Sequence, residues 1–524
     1  MYDAAAIVTV ADVSRHQARL RPDAPAMWFE GRQTTFGQLD ARANACANAL
    51  LAAGIGPGER IACLAKNNDD FFVLWLGAIK ARVCLAPVNW RLAPPEIAFI
   101  LKDAGAKLLV CGADFVGIVD MIVSDCPDLH HLVQFEPGHP RWPGFNDWIA
   151  AFPATDPMLP IRGDKDVIQL YTSGTTGLPK GVQLTHDNYL AVFHSAAVPG
   201  EWADFQADKS ALVAMPLFHI AGVNVGMLAM LQGARSVILR EIVPQHLLGV
   251  LEAARIAYAF LVPAVINMLL QSPGVAETDF SHLEQIFYGA SPIAEDVLLR
   301  AVERFGCEFT QLYGLTETMG GGAKLGFADH DPARGKLRAC GRPWGGYALR
   351  VITPAGRPAE TGEVGEIQIR SKGVMKGYWN RPEATREAID AEGWFRSGDA
   401  GYFDADGYLF IHDRVKDMIV SGGENVYPAE VENALFSHPD VADAAVIGVP
   451  DARWGEAVKA VVVLKPGAVL DAAGLMAHCR ERIAGYKTPK SIDVMSVLPR
   501  NPSGKVLRRE LRAPYWAGHG RNVG

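Results

Sequence analysis

The chain carries no excess of basic charge. Its 50 Lys and Arg are outnumbered by 58 Asp and Glu, for a formal net charge of −8. Proteins that hold nucleic acid show a basic surplus or a basic patch, so a nucleic-acid partner is not expected. Cysteine is sparse for 524 residues: eight, at positions 46, 63, 84, 111, 126, 307, 340 and 479, with no CxxC pair and no metal-ligand spacing. That argues against a disulfide framework or a thiolate metal centre and leaves small buried apolar residues suited to a reducing cytoplasm. Met1-Tyr2-Asp3 lacks a basic n-region, and His519 to Gly524 offers no lipidation or sorting motif, so no targeting segment is expected. Long apolar runs are few as well. Residues 211–234 contain no Asp, Glu, Lys or Arg, but Pro216, His219, Asn224 and Gln232 interrupt them and no basic cluster flanks them. They read as a strand, a turn and a buried helix beside an apolar pocket, not as a membrane span.

What is present is a globular balance, 49% hydrophobic and 21% charged, arranged in alternating elements. Residues 36–53 have helical periodicity, with Phe36, Leu39, Ala43, Cys46, Leu50 and Ala53 on one face. A strand at 60–65, a helix at 69–81, a strand at 83–88, a helix at 94–104 and a strand at 107–111 follow. Such alternation predicts a parallel sheet with helices on both faces, and it resumes after residue 165. Near residue 340 Gly and Pro become dense and strands such as 366–370 replace the alternation. The charged run 412–417 reads as a linker. After it comes a compact unit with a helix from Pro428, strands at 444–449 and 459–464, a helix at 475–484 and a strand at 492–498.

The most specific segment is Thr172-Ser173-Gly174-Thr175-Thr176-Gly177-Leu178-Pro179-Lys180-Gly181, entered from a strand at 168–171. Its glycines allow tight turning and close approach to a ligand, its hydroxyls and N–H groups are donors, and Lys180 adds charge, which suits a polyphosphate. It is not a Walker A loop, because Lys180 is preceded by Pro179 and followed by Gly181 rather than Ser or Thr.

Tyr171 to Gly181 resembles the phosphate-loop signature of the acyl-adenylate-forming superfamily, which comprises acyl-CoA synthetases, peptide-synthetase adenylation domains and firefly luciferase. Further segments match that family in order: Tyr288-Gly289-Ala290-Ser291-Pro292, Tyr313-Gly314-Leu315-Thr316-Glu317-Thr318, Arg396-Ser397-Gly398-Asp399, and Pro499-Arg500-Asn501-Pro502-Ser503-Gly504-Lys505. The resemblance implies a large α/β N-terminal domain, residues 1–415, and a small mobile α+β C-terminal domain, residues 416–524, hinged at Lys416. It implies ATP, Mg²⁺ and CoA. Thr172, Ser173, Gly174, Thr175, Thr176, Gly177 and Lys180 would surround phosphates. Gly289, Ala290, Ser291, Gln311 and Gly314 would lie along the nucleotide, with Tyr313 stacked on adenine. Thr316 would bond the α-phosphate, Glu317 would hold Mg²⁺, Asp399 would accept hydrogen bonds from the ribose hydroxyls, and Arg414 would contact ribose or phosphate. Lys505 would bridge carboxylate and α-phosphate. Ser421, Gly422 and Gly423 would line the CoA tunnel.

His219, Val223, Tyr288, Gly289, Gly314, Met319, Gly320, Gly321 and Gly322 are the candidate acyl-pocket residues. None is a Lys or Arg for a second carboxylate, and no acidic residue near 216–219 awaits an α-amine. The glycine run removes bulk and could open a tunnel for a chain. The favoured substrate is therefore a medium- or long-chain fatty acid. An aryl acid such as a benzoate or hydroxycinnamate, or transfer to a carrier protein, are the alternatives. A monomer or homodimer is expected, with peripheral membrane contact open for a lipid substrate.

Overall fold

The protein is described here as a computed structural model covering residues 5–173, 179–196, 204–414, 417–421, 424–451, 454–500 and 504–517. Two large sheets organise the N-terminal part. One has nine strands, and its six central members, Glu308–Gly314, Gln285–Gly289, Ile256–Leu261, Ser210–Val213, Arg235–Ile238 and Pro25–Phe29, run parallel. The other has seven, in which Asp166–Ser173, Cys84–Pro87, Arg60–Leu64, Ala106–Cys111 and His131–Gln134 are parallel neighbours. The alternation read from the sequence is this second sheet and its crossover helices.

The helices trapped between layers explain the apolar runs. In Asp70–Lys80 every residue is buried. A helix apolar all round has no solvent face to offer and is stable only between other elements. Its two charged ends are the exceptions: Asp70 pairs with Arg42, and the Lys80 ammonium is held by Asp40, Asn44 and Asp156. Phe36–Ala52 begins where Thr35 and Gln38 form a reciprocal capping box, which satisfies two of the first-turn N–H groups. Residues 211–234 fold as the strand Ser210–Val213, a turn, and the helix Ile220–Gln232, which is buried from Gly222 onward. Among the described residues no helix is long and apolar enough to cross a membrane.

An antiparallel four-stranded sheet, Ala348–Ile352, Gly365–Arg370, Phe395–Phe403 and Leu409–Arg414, follows. Here the structure corrects the linker expected at 412–417. Through Arg414 that run is strand, with Asp399 opposite Arg414 and Ala400 opposite Asp413. Charge suggested solvated chain, but the backbone ladder of an edge strand needs no apolar side chains. Lys416 lies outside the described residues. The small C-terminal domain is a separate five-stranded sheet with Val441–Asp451 and Gly455–Leu464 as its long antiparallel pair. The helices Pro428–Phe436 and Ala472–Arg480 pack on it around Val431, Leu435, Val446, Val458, Leu475 and Cys479. All eight cysteines are free and buried.

Candidate active site

Two of the motif segments sit at the carboxyl ends of parallel strands of the nine-stranded sheet, where open α/β sheets present their ligand crevice. Gln285–Gly289 runs into Ala290, which is exposed with φ +67°. Glu308–Gly314 runs into the short turn Thr316–Thr318, which closes on Met319 at φ +57°. A left-handed backbone at a residue with a side chain costs about 1–3 kcal/mol and persists only where surroundings enforce it. The enforcing contact is visible at Gly314, where a Cβ would stand 2.3 Å from the Gly320 carbonyl carbon.

Glu317 is the centre of a polar cluster. It is buried, and its Oε1 accepts from the Tyr378 hydroxyl at 3.0 Å and from Thr172 Oγ1 at 3.4 Å. Lys180 Nζ lies 5.1 Å from the centroid of the Tyr378 ring. Thr172 and Lys180 are Cα partners across the hairpin that flanks the phosphate loop. The strand pairing thus brings hydroxyl, ammonium and carboxylate from three segments to one place. Gly174, Thr175, Thr176 and Gly177 lie outside the described residues, and of Ser173 only the backbone is described. Among the described residues no group of three or more His, Cys, Asp or Glu gathers as a metal cage. A single carboxylate is nonetheless what Mg²⁺ takes from a protein when phosphates and water complete its shell, so Glu317 fits that ion.

Asp399 accepts a hydrogen bond from the Tyr313 hydroxyl at 2.8 Å. Burial, with the nearby Asp399 carboxylate, pushes the Tyr313 phenol well above its ordinary value, so it stays a neutral donor. Of Arg414 only the backbone is described. Ser291 is half-buried just after Ala290, and Thr316 is likewise half-buried. Gln311 accepts from the Tyr288 hydroxyl at 3.1 Å and donates to Cys340 Sγ at 3.7 Å, so both ends of its amide are engaged by protein.

Lys505 is half-buried immediately after Gly504, and a Cβ on Gly504 would stand 3.2 Å from Val262 Cγ2. The lysine-bearing segment therefore lies against the turn between Ile256–Leu261 and the helix Pro263–Leu270, on the large domain. Arg500 anchors this segment by donating to the Gly504 carbonyl and, through one guanidinium nitrogen, to both oxygens of Asp443. Ser421 is buried in the strand Ile419–Ser421. Gly422 and Gly423 are outside the described residues.

Beside the polar cluster lies an apolar chamber of about 770 Å³, its open mouth included. Gly314, Met319, Gly320 and Ala290 belong to its wall, as do Phe205, Phe260, Phe287, Trp344 and Tyr347. Several expected pocket residues are not in that wall. Val223 is fully buried in the core, because on Ile220–Gln232 the chamber face is Ile220, Ala221, Asn224, Val225 and Leu228, and residue 223 points to the opposite side. Tyr288 packs into the core on the other face of the sheet, since alternation sends Phe287 to the chamber and Tyr288 away from it. Gly289 is needed for close packing, as its Cβ would meet the Leu312 carbonyl oxygen at 2.2 Å. The glycine run does not open a tunnel. At Gly321 a Cβ would strike the Tyr347 ring at 2.2 Å, and at Gly322 the Tyr313 carbonyl oxygen at 2.8 Å. Only Gly320 of the three borders the chamber. His219 caps the Ile220–Gln232 helix outside this wall, its ring 4.6 Å from that of Phe218. Burial lowers its pKa to about 4, so it is neutral at physiological pH.

Sequence reasoning missed Tyr378 and most of the chamber wall. Asn224 had a signal: it is a polar residue inside an otherwise apolar run.

The model of the AMP-binding enzyme family matches residues 14–379, and that of the AMP-binding enzyme C-terminal domain matches residues 430–505. A fatty acid–[acyl-carrier-protein] ligase of Streptomyces coeruleorubidus is 40% identical, over 98% of both chains. A feruloyl-CoA synthase of an Amycolatopsis species is 38% identical, over 95% of this chain and 97% of the relative. The crystal structure of an anthranilate CoA ligase in complex with anthranoyl-AMP superposes with a TM-score of 0.90 at 26% identity, over 98% of this chain and 99% of the other. With both family models matched and relatives of 40% and 38% identity over nearly its whole length, the chain belongs to the AMP-binding enzymes and is an ATP-using acid–thiol ligase.

Proposed function

We propose that the enzyme is an AMP-forming acid–CoA ligase for an apolar monocarboxylic acid. In the first half-reaction a carboxylate oxygen attacks the α-phosphorus of ATP, giving acyl-AMP and pyrophosphate. In the second the CoA thiol attacks the acyl carbonyl and AMP leaves. The observation that carries this reading is the shared wall: Gly314, Met319 and Gly320, which border the apolar chamber, flank the turn that bears Glu317. An acid seated in the chamber would present its carboxylate where the nucleotide's phosphates meet Thr172, Lys180, Thr316 and Glu317. Both reactants are anionic, so positioning and cationic groups carry the chemistry. Mg²⁺ at Glu317 would offset charge on the departing pyrophosphate. Tyr313 and Asp399, already joined, would meet adenine and ribose, with Ala290 and Ser291 alongside and Arg414 next to Asp399 on the paired strand.

Lys505 would act in the first step. The docking of Gly504 on Val262 supports that reading, with a domain boundary at 415/416, a hinge at Lys416, and Ser421, Gly422 and Gly423 moving in to line the CoA tunnel for the second step. A cytoplasmic site of action fits the buried thiols. The 40% identical relative, named as a carrier-protein ligase, favours a second reading in which the acceptor thiol belongs to a carrier protein.

The test is AMP release from MgATP and a panel of acids, with and without CoA, for the native enzyme and Lys505→Ala. CoA-dependent release is expected. Lys505→Ala should lower adenylate formation by about 100-fold or more, the scale of losing a transition-state charge partner, while sparing thioester formation from supplied acyl-AMP. Equal loss of both steps would refute the assignment of Lys505. Adenylate formation without CoA turnover would move the acceptor to a carrier protein.

A further inference from the structure

The chamber is apolar but not uniformly so, and two of its polar atoms have no hydrogen-bond partner among the described residues. Asn224 and Ser195 both line it and both are more than nine-tenths buried. Asn224 Nδ2 donates to the Met319 carbonyl at 2.9 Å. A carbonyl accepts only from a donor, so this bond fixes the amide orientation and leaves Asn224 Oδ1 as an acceptor. Among the described residues Oδ1 is buried with no hydrogen-bond partner, and so is Ser195 Oγ. Buried polar atoms are nearly always paired, and an orphan in a ligand chamber calls for an explanation.

The shape of the wall supplies one. Phe205 and Phe287 stand 5.9 Å apart between ring centroids. Trp344 and Tyr347 are stacked at 5.8 Å and 18°. Aromatic walls favour a planar ring through offset and edge contacts. An alkyl chain would fill the same space but would leave Oδ1 desolvated and unpaired.

Resting on the ligase reading above, we infer that the acid is aromatic and carries a hydrogen-bond donor on its ring, a phenol O–H or an aryl N–H, which donates to Asn224 Oδ1 with Ser195 Oγ as its second polar contact. Asn224 is then a specificity-determining residue. A site built to bond such a group discriminates against the analogue that lacks it, because its own buried acceptor is left unpaired.

The experiment compares kcat/KM for CoA-dependent AMP release with 4-hydroxycinnamate, cinnamate and saturated acids of 8 to 16 carbons. The native enzyme is expected to prefer 4-hydroxycinnamate over cinnamate by about tenfold or more, and over every saturated acid. In Asn224→Leu that preference should collapse toward unity, chiefly through loss of the hydroxylated substrate. Ser195→Ala, which leaves the Asn224–Met319 bond in place, should narrow it about threefold. If Asn224→Leu does not fold, Ser195→Ala and a thermal-shift comparison of the two cinnamates on the native enzyme decide the matter. Preference for a saturated acid, or a hydroxyl preference unchanged in the variants, overturns this inference and leaves the ligase standing. No AMP release with any acid overturns the ligase reading itself.

Discussion

The two halves of the crevice solve opposite problems with the same turn between them. On the proposed nucleotide side the polar groups are already paired: Glu317 with Tyr378 and Thr172, Asp399 with Tyr313. On the proposed acid side aromatic rings predominate and, among the described residues, two polar atoms have no hydrogen-bond partner. Preassembled pairs keep charged ligands from collapsing in the absence of substrate and lower the cost of reorganising around phosphates. The acid side can afford fewer polar groups, because discrimination there comes from shape and a small number of placed donors and acceptors. On the proposed reading catalytic and selective residues are separable, and substitutions should sort accordingly.

The largest separation is expected at Glu317. Glu317→Gln keeps size and removes the charge, and should lower adenylate formation by about 100-fold or more with little change in the ranking of acids. Pyrophosphate exchange across the acid panel measures both. A changed ranking would mean that the nucleotide half also selects. An intermediate effect is expected from Gly321→Ala. Its Cβ would displace Tyr347, whose hydroxyl is tied to the Thr318 carbonyl at 2.9 Å. This variant should shift the acid ranking and lower kcat/KM by about tenfold, the scale of misplacing a positioning group slightly. Unchanged selectivity would remove Tyr347 from the acid wall. The smallest effect is in stability. His186, whose Nδ1 accepts from the Val10 N–H at 3.1 Å, and His219 both have pKa values lowered to about 4 by burial, against an ordinary 6.5. Between those values the unfolded chain binds protons that the folded chain refuses. Stability should therefore be complete above about pH 6.5 and fall as the pH drops toward 4. Urea unfolding across that window should show the decline, and His219→Phe should flatten it. A pH-independent midpoint would place both rings in contact with solvent.

How much of this was legible in the sequence follows the same division. The nucleotide half is written in contiguous motifs, so Thr172, Lys180, Thr316, Glu317 and Asp399 could be named from spacing and resemblance. Tyr378 joins them only because the two-residue strand Gly377–Tyr378 pairs with Pro179–Thr185, and no local signal announces it. The acid half is assembled from the helices His186–Ala196 and Ile220–Gln232 and three sheet segments, so its wall had to be guessed. The expected wall and the observed chamber differ where alternation decides the face, at Val223 and Tyr288, and where a glycine serves packing, at Gly321. In the fold, the parallel sheet and its helices were readable from periodicity. The strand through Arg414 was not, because edge strands carry charge without penalty.

The bond from Asn224 to the Met319 carbonyl has a thermodynamic consequence. Met319 closes the turn that holds Glu317, so one amide has its nitrogen on the proposed nucleotide turn and its oxygen in the proposed acid chamber. Any ligand that loads the oxygen differently with the turn formed than with it disordered contributes a coupling free energy between the two sites. Such coupling is reciprocal: whatever factor the acid adds to the affinity for nucleotide, the nucleotide must add to the affinity for acid.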